Sequence, residues 1–163
     1  PLAYLGLGDI FVFAFFGFAA VVGTSFVQLL FVPPSAWFAG AAIGLLATAI
    51  LVVNNLRDRT TDRQAHKMTL VARFGSTFGR VEYTALMVVT YLVPVALVVG
   101  WPSLGRGPLL ALLSLPLAMH RTAQVWRHDG AALNPLLGST GQLGLLYCAL
   151  FSAGIPLTAA GAS

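Results

Sequence analysis

Between residues 10 and 56 the chain carries no Asp, Glu, Lys or Arg, and the runs 83–105 and 130–163 are equally free of charge. Crossing the hydrocarbon core of a bilayer takes roughly 20 consecutive apolar residues, and each run is long enough. A water-soluble domain would interrupt such runs with surface charge. Charged residues make up only 9% of this chain and hydrophobic residues 58%, whereas soluble domains carry about 25% charged residues. An integral membrane protein is therefore expected. The expected fold class is all-α, because backbone in lipid must satisfy its own hydrogen bonds and the period-two alternation of a barrel strand is absent.

Proline and charge divide the chain into five expected spans. The first covers 9–32 and stops at Pro33 and Pro34, since proline cannot continue a helix. In the second, 37–54, Gly40 and Gly44 form a GxxxG step that admits a neighbouring helix closely. The third covers 83–101 and is interrupted by Pro94. A fourth, 108–126, must carry Arg121 toward an interface, and a fifth covers 136–157. Trp37, Trp101 and Trp126 fall near span ends, where amphipathic rings favour the headgroup level.

This division places Arg57, Arg59, Arg63, Lys67, Arg73, Arg80, Arg121 and Arg127 on one side, and Arg106 alone on the other. By the positive-inside rule the polar stretch 54–82 faces the cytoplasm. The net charge of +4 thus reports topology, and a nucleic-acid partner is not expected. Cys148, the single cysteine, lies in an apolar run and supports neither a disulfide framework nor a thiolate zinc site. Residues 1–163 read as one membrane domain. The odd number of spans and the start at Pro1 predict further helices upstream.

Chemistry concentrates where the second span ends. Asn54, Asp58 and Asp62 are spaced four and four, so on a helix they share one face, with neighbouring Cβ atoms about 6 Å apart. Two carboxylates and an amide oxygen suit a hard cation such as Mg²⁺, which prefers oxygen ligands and is commonly shared with substrate phosphates. The surrounding Arg57, Arg59, Arg63, Lys67 and Arg73 have no place in a bare metal cage. They fit a metal that bridges a polyanion. The competing assignment is that Asp58 and Asp62 only pair with Arg59, Arg63 or other neighbouring bases on a solvated helix. Against it, the pair holds two of only five acidic residues and ends a membrane helix, where polar groups are expensive.

The string Asn54-Asn55-Leu56-Arg57-Asp58-Arg59-Thr60-Thr61-Asp62, followed by Lys67, Thr69, Leu70, Arg73 and Gly75, closely resembles the second aspartate-rich motif of the UbiA-type intramembrane aromatic prenyltransferases. It is most similar to the branch that prenylates 1,4-dihydroxy-2-naphthoate in menaquinone synthesis. Gly6-Leu7-Gly8-Asp9 leading to Phe15-Phe16-Gly17 resembles the segment entering the fifth helix of that family. The resemblance runs from Tyr4 to about Leu146. It departs at His66, where the family usually has Gly before the Lys.

The resemblance implies a nine-helix fold of which this chain supplies helices five to nine, and a first aspartate-rich motif upstream. It implies that Mg²⁺ binds the diphosphate of a polyprenyl donor, that the allylic C–O bond breaks, and that the naphthoate ring attacks the resulting cation with loss of carbon dioxide. Asp58 and Asp62 would ligate the metal, with Asn54 assisting, and Lys67 and Arg73, together with Arg57, would hold phosphate oxygens. Such a protein belongs in a membrane, by expectation the bacterial inner membrane. The alternatives are a family member with another acceptor, 4-hydroxybenzoate or homogentisate, and a non-enzymatic transporter or channel subunit. The latter would place ionisable groups at midspan, where this chain has almost none.

Overall fold

The structure, a computed structural model, describes residues 6–159; Pro1 and Tyr4 lie outside the described residues. All regular structure among them is helical. Helix α1 (Gly8–Leu29) has a π-helical middle at Phe13–Val22. Helix α2 (Pro34–Arg57) starts on proline, whose missing N–H costs nothing in a first turn. Two short helices follow, α3 (Arg59–Gln64) and α4 (Leu70–Phe74), and then α5 (Ser76–Gly100). A 3₁₀ stretch, Gly107–Ser114, runs directly into α6 (Leu115–Arg127), and a shorter one, Gly130–Leu133, into α7 (Asn134–Ala159).

Four of these helical stretches are long and apolar enough to cross a membrane: Gly8–Leu29, Pro34–Arg57, Ser76–Gly100 and Gly130–Ile155. The expected fourth span is instead the composite of the 3₁₀ stretch and α6. At standard rises the two together reach about 35 Å. Its apolar residues are concentrated in the first half, while the second carries His120, Arg121, Gln124 and Arg127.

Helix α2 is the hub, packing against α1, α5 and α7. Its faces contribute Leu46, Ala49, Val52, Val53 and Leu56 to a core completed by Tyr83, Met87, Leu97, Leu143, Tyr147 and Phe151. The GxxxG step works as expected. A methyl group on Gly17 would stand 2.6 Å from the Gly40 carbonyl oxygen, and one on Gly44 would stand 2.7 Å from that of Phe13. Only hydrogen at these positions allows the α1 and α2 backbones to touch.

Helix α5 departs from expectation twice. It begins seven residues before the expected 83, taking in Arg80 and Glu82. Charge forbids lipid exposure, not helix, and Arg80 has partners. Its Nη2 pairs with Asp129 Oδ2 at 2.9 Å and donates to the His128 carbonyl at 3.2 Å, and its Nε donates to the Val125 carbonyl at 3.3 Å. The guanidinium thus caps the end of α6, and Arg57 Nη1 reaches Asn134 Oδ1 at the start of α7 at 3.2 Å. These ties bring the basic residues of 57–80 and those at the end of α6 to the same end of the bundle. Arg106 follows the opposite end of α5.

The second departure is that Pro94 does not interrupt α5. Proline leaves the Thr90 carbonyl without its i+4 donor, a cost that ordinarily breaks a buried helix. Here Tyr147 Oη, on α7, donates to that carbonyl at 3.0 Å. Tyr83 Oη and Thr140 Oγ1, 3.2 Å apart, add a second tie between the same helices.

The stretch 54–82 opens in the last turn of α2 and closes in the first turns of α5. Between them α3 ends in a Schellman turn. The Lys67 N–H bonds to the Asp62 carbonyl at 2.8 Å and the His66 N–H to that of Arg63 at 3.2 Å. His66 is exposed and takes φ 54°, the left-handed conformation for which glycine is favoured. The turn reverses the chain so that the Lys67 side chain comes back onto Asp62.

Tyr147→Phe should lower stability by about 1–2 kcal/mol, because the Thr90 carbonyl loses its replacement donor. Adding Pro94→Ala, which restores the N–H, should recover part of that loss in thermal unfolding of the detergent-solubilised protein. His66→Gly should raise stability by about 0.5–1 kcal/mol, the left-handed penalty removed less the added chain entropy. A lower midpoint for His66→Gly would show that the imidazole makes contacts worth more than the strain.

Candidate functional site

Asp58 sits at the junction between α2 and α3, outside regular helix. The backbone ladder nevertheless runs through it: the Asp58 N–H bonds to the Asn54 carbonyl at 3.0 Å and the Asp62 N–H to the Asp58 carbonyl at 2.8 Å. The four-and-four spacing therefore survives the break, and the three side chains follow one line off the end of α2.

Two cations organise them. Arg57 Nη2 donates to Asn54 Oδ1 at 2.7 Å and pairs with Asp58 Oδ2 at 2.6 Å, while its Nε donates to Asp58 Oδ1 at 2.7 Å. One guanidinium gathers the amide and the carboxylate around a single positive group, in the bidentate geometry that makes such pairs strong. Lys67 Nζ stands 3.1 and 3.2 Å from the two oxygens of Asp62, which is buried. The hydrogen bond from Arg57, with the nearby charges of Arg57 and Lys67, holds the Asp58 carboxyl below its usual value, so it is fully ionised at neutral pH.

The pairs partly match the competing assignment, which also expected ion pairing, but the bases differ from those it named first. Arg63 Nε instead donates to the Ala72 carbonyl and ties α3 to α4. Arg73 is exposed on α4 and donates to the Met68 carbonyl at 3.0 Å. Asn54, Arg57 and Asp58 thus form one network and Asp62 with Lys67 its neighbour, while Arg73 braces the connecting segment.

The donor set fits Mg²⁺. Every candidate ligand atom is a hard oxygen, and a cationic guanidinium already occupies the focus of Asn54 and Asp58. Two carboxylates and an amide are too few to enclose a cation, and among the described residues no group of three or more His, Cys, Asp or Glu converges. That scarcity suits an ion that keeps waters and shares its shell with substrate phosphates.

Two polar residues in the same region exceed what the spacing argument used. Asp9 at the start of α1 is 7% exposed and Asn55 on α2 is 2% exposed. Among the described residues Asp9 Oδ1 and Asn55 Oδ1 have no hydrogen-bond partner, and neither does Glu82 Oε2. The sequence placed both in segments that resemble the family, Asn55 in the aspartate-rich string and Asp9 in Gly6-Leu7-Gly8-Asp9, but assigned neither a role. His120 and His128 are exposed, and His128 Nδ1 lies 2.9 Å from the Gln124 carbonyl at the end of α6. Trp37, Trp101 and Trp126 are all exposed near helix ends.

Residues 1–135 match the model of the UbiA prenyltransferase family. The chain is 39% identical to the 1,4-dihydroxy-2-naphthoate octaprenyltransferase of Mycobacterium leprae (strain TN), over 99% of this chain and 53% of that protein. Identity to the enzyme of the same name from Escherichia coli (strain K12) is also 39%, over 97% of this chain and 51% of the relative. The human UbiA prenyltransferase domain-containing protein 1 is 32% identical over 97% of the chain and 45% of its own length. The chain therefore spans about half the length of the curated relatives it matches, and no solved structure matches it. A helical membrane architecture, the aspartate-rich string at the end of α2, and a family match over most of the residues together establish that the chain belongs to the UbiA prenyltransferase family.

Proposed function

We propose that this chain forms part of a membrane enzyme that transfers a polyprenyl group from polyprenyl diphosphate to 1,4-dihydroxy-2-naphthoate, with loss of the carboxyl group as carbon dioxide. The observation that carries the reading is the pairing of Asn54 and Asp58 with Arg57, and of Asp62 with Lys67, at the polar end of a membrane-crossing helix. The names of the bacterial relatives support the donor and acceptor classes.

Each residue has a task in this chemistry. Asn54, Asp58 and Asp62 would hold Mg²⁺, which when bound neutralises charge on the diphosphate leaving group. Arg57 and Lys67 now neutralise the carboxylates. Arg57 and Lys67 would also serve as donors to the phosphate oxygens, since preorganised positive groups in a low-dielectric site lower the barrier to C–O cleavage. Arg73, exposed on α4 beside the same segment, would reach the phosphates from the solvent side. The upstream half of a full-length protein would supply the first aspartate-rich motif and the remaining wall of the groove for the prenyl tail. The polar end, which collects the basic residues, would face the cytoplasm, in a bacterial inner membrane.

In the full-length protein, Asp58→Asn and Asp62→Asn should each lower prenyl transfer by at least about a hundredfold, the loss of one charge-assisted contact in the transition state. Each should raise the Mg²⁺ requirement, with Asp58→Asn, at the half-exposed pair, leaving the thermal midpoint close to that of the unaltered protein. Normal turnover of both variants at low Mg²⁺ would reduce the carboxylates to salt-bridge partners.

A further inference from the structure

A cavity of about 100 Å³ opens beside the aspartate-rich helix end, lined by Gly8, Asp9, Leu51, Asn55, Lys67 and Thr69. It lies where the start of α1, the last turns of α2 and the segment after α3 meet. Its polar groups do not satisfy one another. Thr69 Oγ1 accepts from the Ala72 N–H at 3.1 Å, and Lys67 Nζ donates to both oxygens of Asp62. Asp9 Oδ1 and Asn55 Oδ1 accept from nothing, although both residues are more than nine-tenths buried. Buried polar atoms are nearly always paired, so two unpaired acceptors on one cavity call for a donor that the described residues do not provide.

The chemistry of that donor is narrowed by the lining. A second cation would sit against the Lys67 ammonium, and an anion against the Asp9 carboxylate. A neutral hydroxyl meets both conditions, giving its hydrogen to Asp9 or Asn55 and turning a lone pair toward Lys67. The cavity is too small for a bicyclic ring but large enough for its hydroxyl-bearing edge. We propose that Asp9 and Asn55 form the subsite that binds a ring hydroxyl of the aromatic acceptor. This inference rests on the function proposed above and adds to it the residues that select and orient the acceptor. Lys67 borders both the cavity and Asp62, so a ring anchored here stands next to the group that receives the diphosphate. A carboxylate accepting the hydroxyl hydrogen also raises electron density in the ring, which is what attack on an allylic cation requires.

The test uses the full-length protein in membranes, with labelled polyprenyl diphosphate and dihydroxynaphthoate or either of its monomethyl ethers. Absence of transfer by the unaltered protein would overturn the parent reading and this inference with it. With transfer established, Asp9→Asn and Asn55→Leu should raise KM for the acceptor about tenfold to a hundredfold, the loss of one buried hydrogen bond, and leave KM for the donor within about twofold. The unaltered protein should discriminate against one monomethyl ether by about tenfold or more, and both variants should lose that discrimination. Asp9→Asn keeps the shape of the side chain and carries the test even where Asn55→Leu fails to fold. Unchanged acceptor KM, a rise in donor KM instead, or discrimination that persists in Asp9→Asn would overturn the inference while leaving the proposed function standing.

Discussion

Charge beside a bilayer must be neutralised within a few ångströms, and the rest of this structure is arranged around that requirement. Asp58 and Asp62 are placed by the end of α2 and by α3, the first half-buried and the second buried, and each holds a cation, Arg57 and Lys67. Pairing of this kind is costly to break, and under the proposed function a metal ion and a polyanion together would offer the same carboxylates and bases new partners of opposite charge. A site built from matched pairs is therefore stable on its own.

The same economy of polar groups runs through the bundle. The carbonyl freed by Pro94 is met by Tyr147 from the facing helix, and the carbonyls at the end of α6 are met by Arg80. The α1–α2 contact dispenses with side chains altogether at Gly17, Gly40 and Gly44. These ties hold the polar ends of α2, α5, α6 and α7 together, which keeps the aspartate-rich turn in place. Among the described residues the buried atoms left without a hydrogen-bond partner are few: Asp9 Oδ1, Asn55 Oδ1, Glu82 Oε2 and Arg121 Nε.

Much of this was legible in the sequence, for reasons that differ by element. The spans of α1, α2 and α7 follow from uninterrupted apolar runs, and the close α1–α2 approach from the spacing of Gly40 and Gly44. The start of α5 was not legible, because Arg80 is accommodated by partners forty-five and more residues away. Nor was the continuity of α5 through Pro94, which depends on a tyrosine in another helix. At the site, the common line of Asn54, Asp58 and Asp62 came from spacing. The choice of Arg57 and Lys67 as partners came from a bidentate side-chain geometry and a left-handed turn at His66, which spacing does not encode. The joining of Asp9 to Asn55 is tertiary, made by the docking of α1 on α2.

The central claim is that the Arg57–Asp58 and Lys67–Asp62 pairs give way to metal and diphosphate in the working enzyme. Its most direct test is a structure of the full-length protein with Mn²⁺ and a non-reactive prenyl thiodiphosphate, the metal located by anomalous scattering. The account predicts Mn²⁺ bound to Asp58 and Asp62, with Arg57 and Lys67 moved onto phosphate oxygens. Metal and diphosphate bound elsewhere, with both ion pairs intact, would contradict it.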